Sequence, residues 1–295
     1  MNKSYSLDEY VKLINEALLS ELPVCNYGES VVCDAMRYSA ENGGKRIRPA
    51  LTLEFCRICG GDIQDAMPLA CAVEMIHTYS LIHDDLPCMD NDDMRRGKPS
   101  CHIAYGENYA LLAGDGLLTQ AFEVIAQSEF AKKNPKGAIS AVGILSSFAG
   151  PNGMIGGQVI DLKSEGKDIG METLSKMDEL KTGALIKAAC VLGVISANGD
   201  EDKKKAALAY AEKIGQAFQI VDDILDVTAD EKELGKPVGS DKESNKSTYV
   251  SLLGLQKSQQ YAQKLTKEAI ECLDVFGEDG AFLKDLALKL ASRKK

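Results

Sequence analysis

The chain has 295 residues, a formal net charge of −10 and no tryptophan, a balance that argues against nucleic-acid binding. Apolar residues make up 45% of it, enough for a globular core, and no Pro/Gly/Ser-rich or low-complexity tract divides it. A single domain over 1–295 is therefore expected. Nine irregularly spaced cysteines fit a reducing compartment better than a disulfide framework, and the N-terminus lacks a basic-then-apolar leader. These features point to a cytoplasmic protein. No apolar run approaches the ~18 residues that cross a bilayer, so membrane insertion is not expected.

In chain order, the first predicted helix is 8–22, with apolar residues at Tyr10, Val11, Leu13, Ile14, Ala17 and Leu18 on one face. A basic run follows, Lys45-Arg46-Ile47-Arg48. Cys56 and Cys59 form a lone C-x-x-C with no second pair or histidine nearby, which reads as two small helical residues rather than zinc ligands. After an expected loop at 60–65, long helices are predicted over 67–83, 109–127, 173–195 and 203–227, with a further loop at 129–137. All exceed the length of a strand, and no alternating pattern bounded by Asn-Gly or Asp-Gly occurs. The expected fold is an all-α helical bundle.

Two segments carry the chemistry. The first runs from His77 to Lys98, where Asp84 and Asp85 close an apolar helix and Pro87 disfavours helix at Leu86, so the chain should bulge before Asp90. Arg95, Arg96 and Lys98 follow. In the second segment Gln219, Asp222 and Asp226 fall on one helical face, amid Ile220, Val221, Ile224 and Leu225. Carboxylates in such a setting repel one another and lose hydration unless cations compensate them. Two aspartate clusters with basic residues nearby point to magnesium and a diphosphate ligand, because magnesium takes a few carboxylates plus phosphate oxygens. An EF-hand beginning at Asp90 fails at Met94 and Arg95, and a di-iron site fails because Glu74-x-x-His77 has no second copy.

In motif order the chain resembles the trans-polyprenyl diphosphate synthases, in particular the bacterial farnesyl diphosphate synthase type. The resemblance rests on Gly43-Gly-Lys-Arg-Ile-Arg-Pro49, the first aspartate segment with Arg95-Arg96, Gly156-Gly-Gln158, Lys181-Thr-Gly183, Phe218 to Asp226, and Gly235-Lys236 leading to Lys246-Ser-Thr-Tyr249. It implies a single isoprenoid-synthase bundle with a central active-site cavity, working as a homodimer. It also implies three magnesium ions with bound diphosphate, held by Asp84, Asp90 and Asp222 with support from Asp85 and Asp226. Arg95, Lys181, Lys236 and Lys246 would hold the allylic diphosphate, and Lys45, Arg48, His77 and Arg96 isopentenyl diphosphate. The implied reaction ionises the allylic diphosphate, lets the isopentenyl double bond attack C1, and loses a proton to the departing pyrophosphate.

Lys181, Thr182 and Gln219 would then face the cation, although a helical threonine also commonly bonds its own backbone. His77 read alone fits a satisfied core histidine better, and it is the resemblance that favours diphosphate binding. Tyr79 lies five residues before Asp84, roughly 7.5 Å along the helix at ~1.5 Å per residue, and with Ser80 beside it would stop growth at C15. A C20 product and a non-catalytic partner subunit are the alternatives; a terpene cyclase fits less well, since its second metal motif differs. The polar stretch 230–247, which contains Lys236 and Lys246, is expected to close over bound diphosphates.

Overall fold

The computed structural model describes residues 3–228 and 247–293. Those residues are all-α apart from one minimal hairpin. They fall into two compact units, Met1–Ile144 with Leu192–Asn198, and Leu145–Val191 with Gly199–Lys295.

The first unit begins with α1 (Leu7–Ser20), whose start is fixed by reciprocal bonds between Ser6 and Glu9, followed by α2 (Ser30–Glu41) and α3 (Ile47–Ile58). α4 (Ile63–Asp84) is its central element, buried on all sides and packed on α3 and on α6 (Glu107–Gln127). It starts four residues before the sequence pattern suggests, because the Asp62 side chain accepts the Gln64 N–H at 2.9 Å and caps it. Between α4 and α6 lie strands β1 (Met94–Arg95) and β2 (Lys98–Pro99) and a short α5 (Cys101–Tyr105). The loop expected at 129–137 is instead helical, with α7 (Glu129–Lys133) capped by Ser128 and α8 (Pro135–Ala149) beginning on a proline.

The second unit contains α9 (Met154–Ser164), α10 (Met171–Asp178), a π-helical turn (Glu179–Gly183), α11 (Ala184–Ser196) and α12 (Glu201–Thr228). It is completed by α13 (Tyr249–Leu253), α14 (Leu255–Glu271), a 3₁₀ segment (Asp274–Gly280) and α15 (Ala281–Ala291). The unit boundaries fall within α8, within α11 and between α11 and α12. The buried face of α12 (Ala217, Ile220, Val221 and Leu225) packs with Leu174, Tyr249, Ala262 and Leu265.

Two composition-based expectations need amendment. Cys25 and Cys33 form a disulfide with a Cα–Cα separation of 6.2 Å, because the loop before α2 brings Cys25 onto its first turn; seven cysteines are free. The run 135–164 is also long and apolar enough, at a mean hydropathy of 1.3, to meet a membrane-span criterion. It is nevertheless broken at Gly153 (φ −130°, ψ −129°) into helices of 15 and 11 residues, each shorter than the ~20 residues a bilayer requires.

Two buried arginines of the first unit are paired with carboxylates. Tyr10 donates to Glu54 at 2.6 Å, and Arg57 holds the same carboxylate at 2.8 and 2.9 Å. Arg46, at φ 48° ahead of α3, is buried against Glu74 of α4 at 2.5 Å and also donates to Ala40 O and Asn15. Removing one partner of such a pair strands a buried charge. Arg46→Met is therefore expected to destabilise the fold by about 3–5 kcal/mol, and Arg46→Met/Glu74→Leu to recover most of the loss, as read from urea unfolding midpoints.

Candidate active site

In the first unit the site residues cluster beyond the C-terminal end of α4 and around its penultimate turns. α4 stops at Asp84; past Pro87 the loop turns back so that the Asp90 N–H donates to the Asp84 carbonyl at 2.8 Å. Asp84 is half-buried, Asp85 buried and Asp90 exposed. Arg95 grips the buried Asp85 carboxylate through Nε and Nη2 and also reaches Asp92 at 3.2 Å. The expected bulge is therefore present, and Arg95 is engaged by carboxylates on its own segment.

The hairpin that follows has a two-residue turn, Arg96-Gly97, with φ of 53° and 78°. Positive φ at both positions is what a tight two-residue hairpin requires. Strands of two residues each leave no alternating pattern, which is why the sequence does not announce them. The turn delivers Arg96 to the loop ahead of α3, where its guanidinium donates to the Gly43 carbonyl and Asn42 donates to the Arg95 carbonyl at 2.9 Å. Glycine at 44 suits this approach, since its φ of 122° is one that L side chains rarely adopt. The two basic runs of the sequence are thus one cluster.

His77 sits among that cluster. Burial, reinforced by Arg48, Arg96, Arg46 and Arg95, holds its pKa well below the usual histidine value, so the ring is neutral at pH 7. Arg48 Nε is buried without a hydrogen-bond partner. Lys45 lies exposed on the same loop, whereas Arg46 turns into the core. Tyr79 is 5% exposed, its ring packed edge-on against His83 at 5.7 Å, with burial raising the phenol to about 12. Ser80 donates to the His77 carbonyl.

In the second unit Lys181 and Thr182 lie in the π-helical turn. The extra residue such a turn accommodates re-aims side chains, and π turns recur at functional sites. Gly157 of α9 makes the turn's close approach possible, because a Cβ there would come within 2.1 Å of the Lys181 backbone N. One turn further along α9, Asp161 pairs with Lys181 Nζ at 2.5 Å. Lys181, Thr182 and Gln219 line a cavity of about 170 Å³ together with Asp161, Asp178, Asp223 and Thr248. Asp222 and Asp226 lie half-buried on α12, as expected, and Arg293 bonds Asp222 at 2.6 Å. Asp223, between them, accepts the Tyr249 N–H at 2.7 Å and so anchors α13.

Sequence reasoning missed Asp161, Asp178 and Arg293, and gave no role to Asp223 and Tyr249 within their motifs. Asp161 had a local signal, falling three residues after Gln158, and Asp178 falls one turn before Lys181. Arg293 had none, being 71 residues from its partner. Lys236, Lys246 and the expected closure of 230–247 lie outside the described residues, apart from Ser247, which accepts the Ile169 N–H.

The acidic donors at Asp84, Asp90, Asp222 and Asp226 are all carboxylates, the oxygen chemistry a hard divalent cation selects. Among the described residues no group of three or more His, Cys, Asp or Glu side chains stands ready to hold a metal. The carboxylates of each unit fit a cation that takes few protein ligands and completes its shell with water and phosphate oxygens, as magnesium does.

Asp178 is pushed up to about 7, chiefly by burial and further by Asp161 and Asp222, against the lowering effects of Tyr249 and Lys181. A carboxyl raised in the folded state stabilises it when protonated, and that contribution is lost as pH rises from the unfolded value through about 7. Asp178→Asn should therefore be more stable than the parent at pH 8, by on the order of 3 kcal/mol, with the gap closing as pH falls toward 4. Thermal unfolding across that range measures it.

The sequence profile described as polyprenyl synthetase matches residues 29–278. Heterodimeric geranylgeranyl pyrophosphate synthase large subunit 1, chloroplastic, of Arabidopsis thaliana is 48% identical over 272 residues, covering 91% of this chain and 73% of that protein. Geranylgeranyl diphosphate synthase of Cyanophora paradoxa is 46% identical over 267 residues, covering 90% and 88%. Among solved structures, an FPP/GFPP synthase from Zymomonas mobilis in its apo form superposes with a TM-score of 0.87 at 36% identity, covering 97% of each chain. Motif order, all-helical architecture and these matches agree: the chain belongs to the polyprenyl synthetase family and is a prenyltransferase.

Proposed function

We propose that the chain condenses isopentenyl diphosphate head to tail with allylic diphosphates and releases the C20 product, geranylgeranyl diphosphate. The observation that carries the product length is the set of relatives: proteins 46–48% identical over nine-tenths of this chain are named geranylgeranyl synthases. The C15 stop expected at Tyr79 is the weaker reading. That ring is already packed against His83, and the support for a farnesyl product is the names of two solved structures at 36% identity, lower than that of the geranylgeranyl synthases. The cytoplasmic expectation has no support among the relatives, several of which are named chloroplastic.

Residue roles in this reading follow from charge. Lys45, Arg48, His77 and Arg96 hold the diphosphate of isopentenyl diphosphate, which only needs positioning. The support is the gathering of like charge around a neutral histidine, with a buried arginine Nε left unpartnered, an arrangement that an anion relieves. Asp84, Asp90 and Asp222 would hold magnesium, which supplies neutralisation of the charge that develops on the departing diphosphate. Arg95, Lys181 and Lys236 act on the same diphosphate, while Thr182 and Gln219 turn oxygen dipoles toward the allylic carbon as its C–O bond breaks. The isopentenyl double bond forms the new bond to that carbon, and the proton lost in restoring a double bond leaves with pyrophosphate. The motifs fall in both compact units, so this reading takes 1–295 as one catalytic domain. A second copy is the proposed partner, with a heterologous subunit as the alternative that the names of two relatives raise.

The deciding assay supplies the purified chain with isopentenyl diphosphate and either geranyl or farnesyl diphosphate, with and without magnesium. A magnesium-dependent C20 product from both primers is expected. Accumulation of C15 with farnesyl diphosphate left unused would restore the Tyr79 stop, and no product at all would make the chain a subunit that needs a partner. His77 gives an independent check. Its depressed pKa means that it stays neutral as pH falls through 6.5, and a bound diphosphate must raise that pKa by offsetting Arg48 and Arg96. Imidazole carbon shifts followed from pH 8 to 5 should move to higher pKa when isopentenyl diphosphate is added; an unmoved titration removes His77 from the anion site.

A further inference from the structure

Arg293, just beyond α15, lies on the second aspartate cluster and has no place in the roles above. Its Nη2 donates to Asp222 Oδ1 at 2.6 Å and to the Phe218 carbonyl at 3.0 Å. Its guanidinium carbon lies 3.8 Å from the Phe218 ring centroid. The Arg293 side chain is 10% exposed, against 43% for Asp222, and its Nε is buried without a hydrogen-bond partner.

Two of these three anchors do not depend on the Asp222 carboxylate. The ring and carbonyl of Phe218 sit one turn before Asp222 on the same helix, so the guanidinium is fixed to α12 whatever Asp222 does. An arginine held only by the carboxylate would be a counter-ion that an arriving cation displaces. One seated on the aromatic face behind it is a fixed donor that sets the rotamer of the Asp222 carboxylate. Because Asp222 keeps nearly half its side chain exposed, Arg293 covers one side of the carboxylate and does not seal it.

We propose that Arg293 is a positioning residue that orients Asp222 to ligate a divalent cation brought by the allylic diphosphate. This rests on the reading of Asp222 as a metal ligand. Groups that hold a metal's ligand in place typically contribute ten- to hundredfold in metal affinity, which sets the scale of the test.

The experiment uses the full chain with Mn²⁺ as the spectroscopic probe and a non-reactive thiolo analogue of an allylic diphosphate, comparing the parent with Arg293→Met, Arg293→Lys and Asp222→Asn. Electron paramagnetic resonance reads bound Mn²⁺ directly. Arg293→Met is expected to weaken Mn²⁺ binding about tenfold or more and to raise KM for the allylic diphosphate while leaving KM for isopentenyl diphosphate unchanged. Arg293→Lys, which keeps the charge but loses the fork and the stack, should fall between the two. Should Arg293→Met not fold, the lysine variant alone carries the comparison. Lower thermal stability with unchanged Mn²⁺ affinity would reduce Arg293 to a tether between α15 and α12, and tighter Mn²⁺ binding would make it a competitor of the metal. Either result overturns the inference. If Asp222→Asn itself leaves Mn²⁺ binding unchanged, the assignment of Asp222 fails and the inference fails with it. If only the Arg293 variants leave it unchanged, the failure belongs to the inference alone.

Discussion

The arrangement around His77 depends on where the guanidinium of Arg46 goes. Arg46 sits in a left-handed backbone conformation in a run of cations, and the fold draws it inward onto Glu74 rather than outward with Lys45. That buried pair ties the loop ahead of α3 to α4 nearly three turns before its end and one turn before His77. With the loop fixed, Arg48 reaches His77, and the hairpin turn at Arg96-Gly97 has a surface to close on. A buried ion pair is weak evidence for net stability but a strong registration device, because any other register strands two charges in the core. Sending one arginine to the core leaves Arg48 and Arg96 beside a neutral imidazole with only the Glu74 carboxylate, already bonded to Arg46, to offset them, a setting that favours an anion.

The second unit reaches a comparable state by another route. A π-helical turn breaks the regular spacing of the α10–α11 segment and puts Lys181 and Thr182 beside a cavity that also receives Gln219 from α12. The close approach over Gly157 fixes the backbone of that turn, and Asp161 fixes the amine. Along α12 the adjacent aspartates take different work. Asp223 serves the backbone of α13, whereas Asp222 meets Arg293 and stays open to solvent on its other side. Neighbouring residues of one helix point about 100° apart, so a run of acids cannot all serve one ligand.

Both units therefore hold polar groups under electrostatic tension: cations crowding a histidine in one, and a carboxyl whose pKa burial raises among further acids in the other. Such perturbed groups mark functional sites more often than structural ones, and here His77 lies in the first aspartate segment while Asp178 falls one turn before Lys181. The chemistry of that family separates charges of opposite sign, a diphosphate from an allylic carbon. Pre-arranged charge in a fixed framework supplies what the reaction would otherwise need from reorganising solvent.

By itself, the sequence determined the helical class, the motif residues and the family, because helix periodicity and motif spacing are local and survive without knowledge of the fold. The helices at 8–22, 109–127 and 203–227 were legible to within two residues, and the bulge after Asp85 followed from Pro87. Shorter features were not: a Ser128 cap turned an expected loop into α7, and a two-residue hairpin carries no period to read. Which member of a basic run is buried, which aspartate of a pair is structural, and which arginine from 71 residues away meets Asp222 were decided only by the tertiary structure. Those choices turn on burial and on partners distant in the chain, and neither is written in the spacing of the residues concerned.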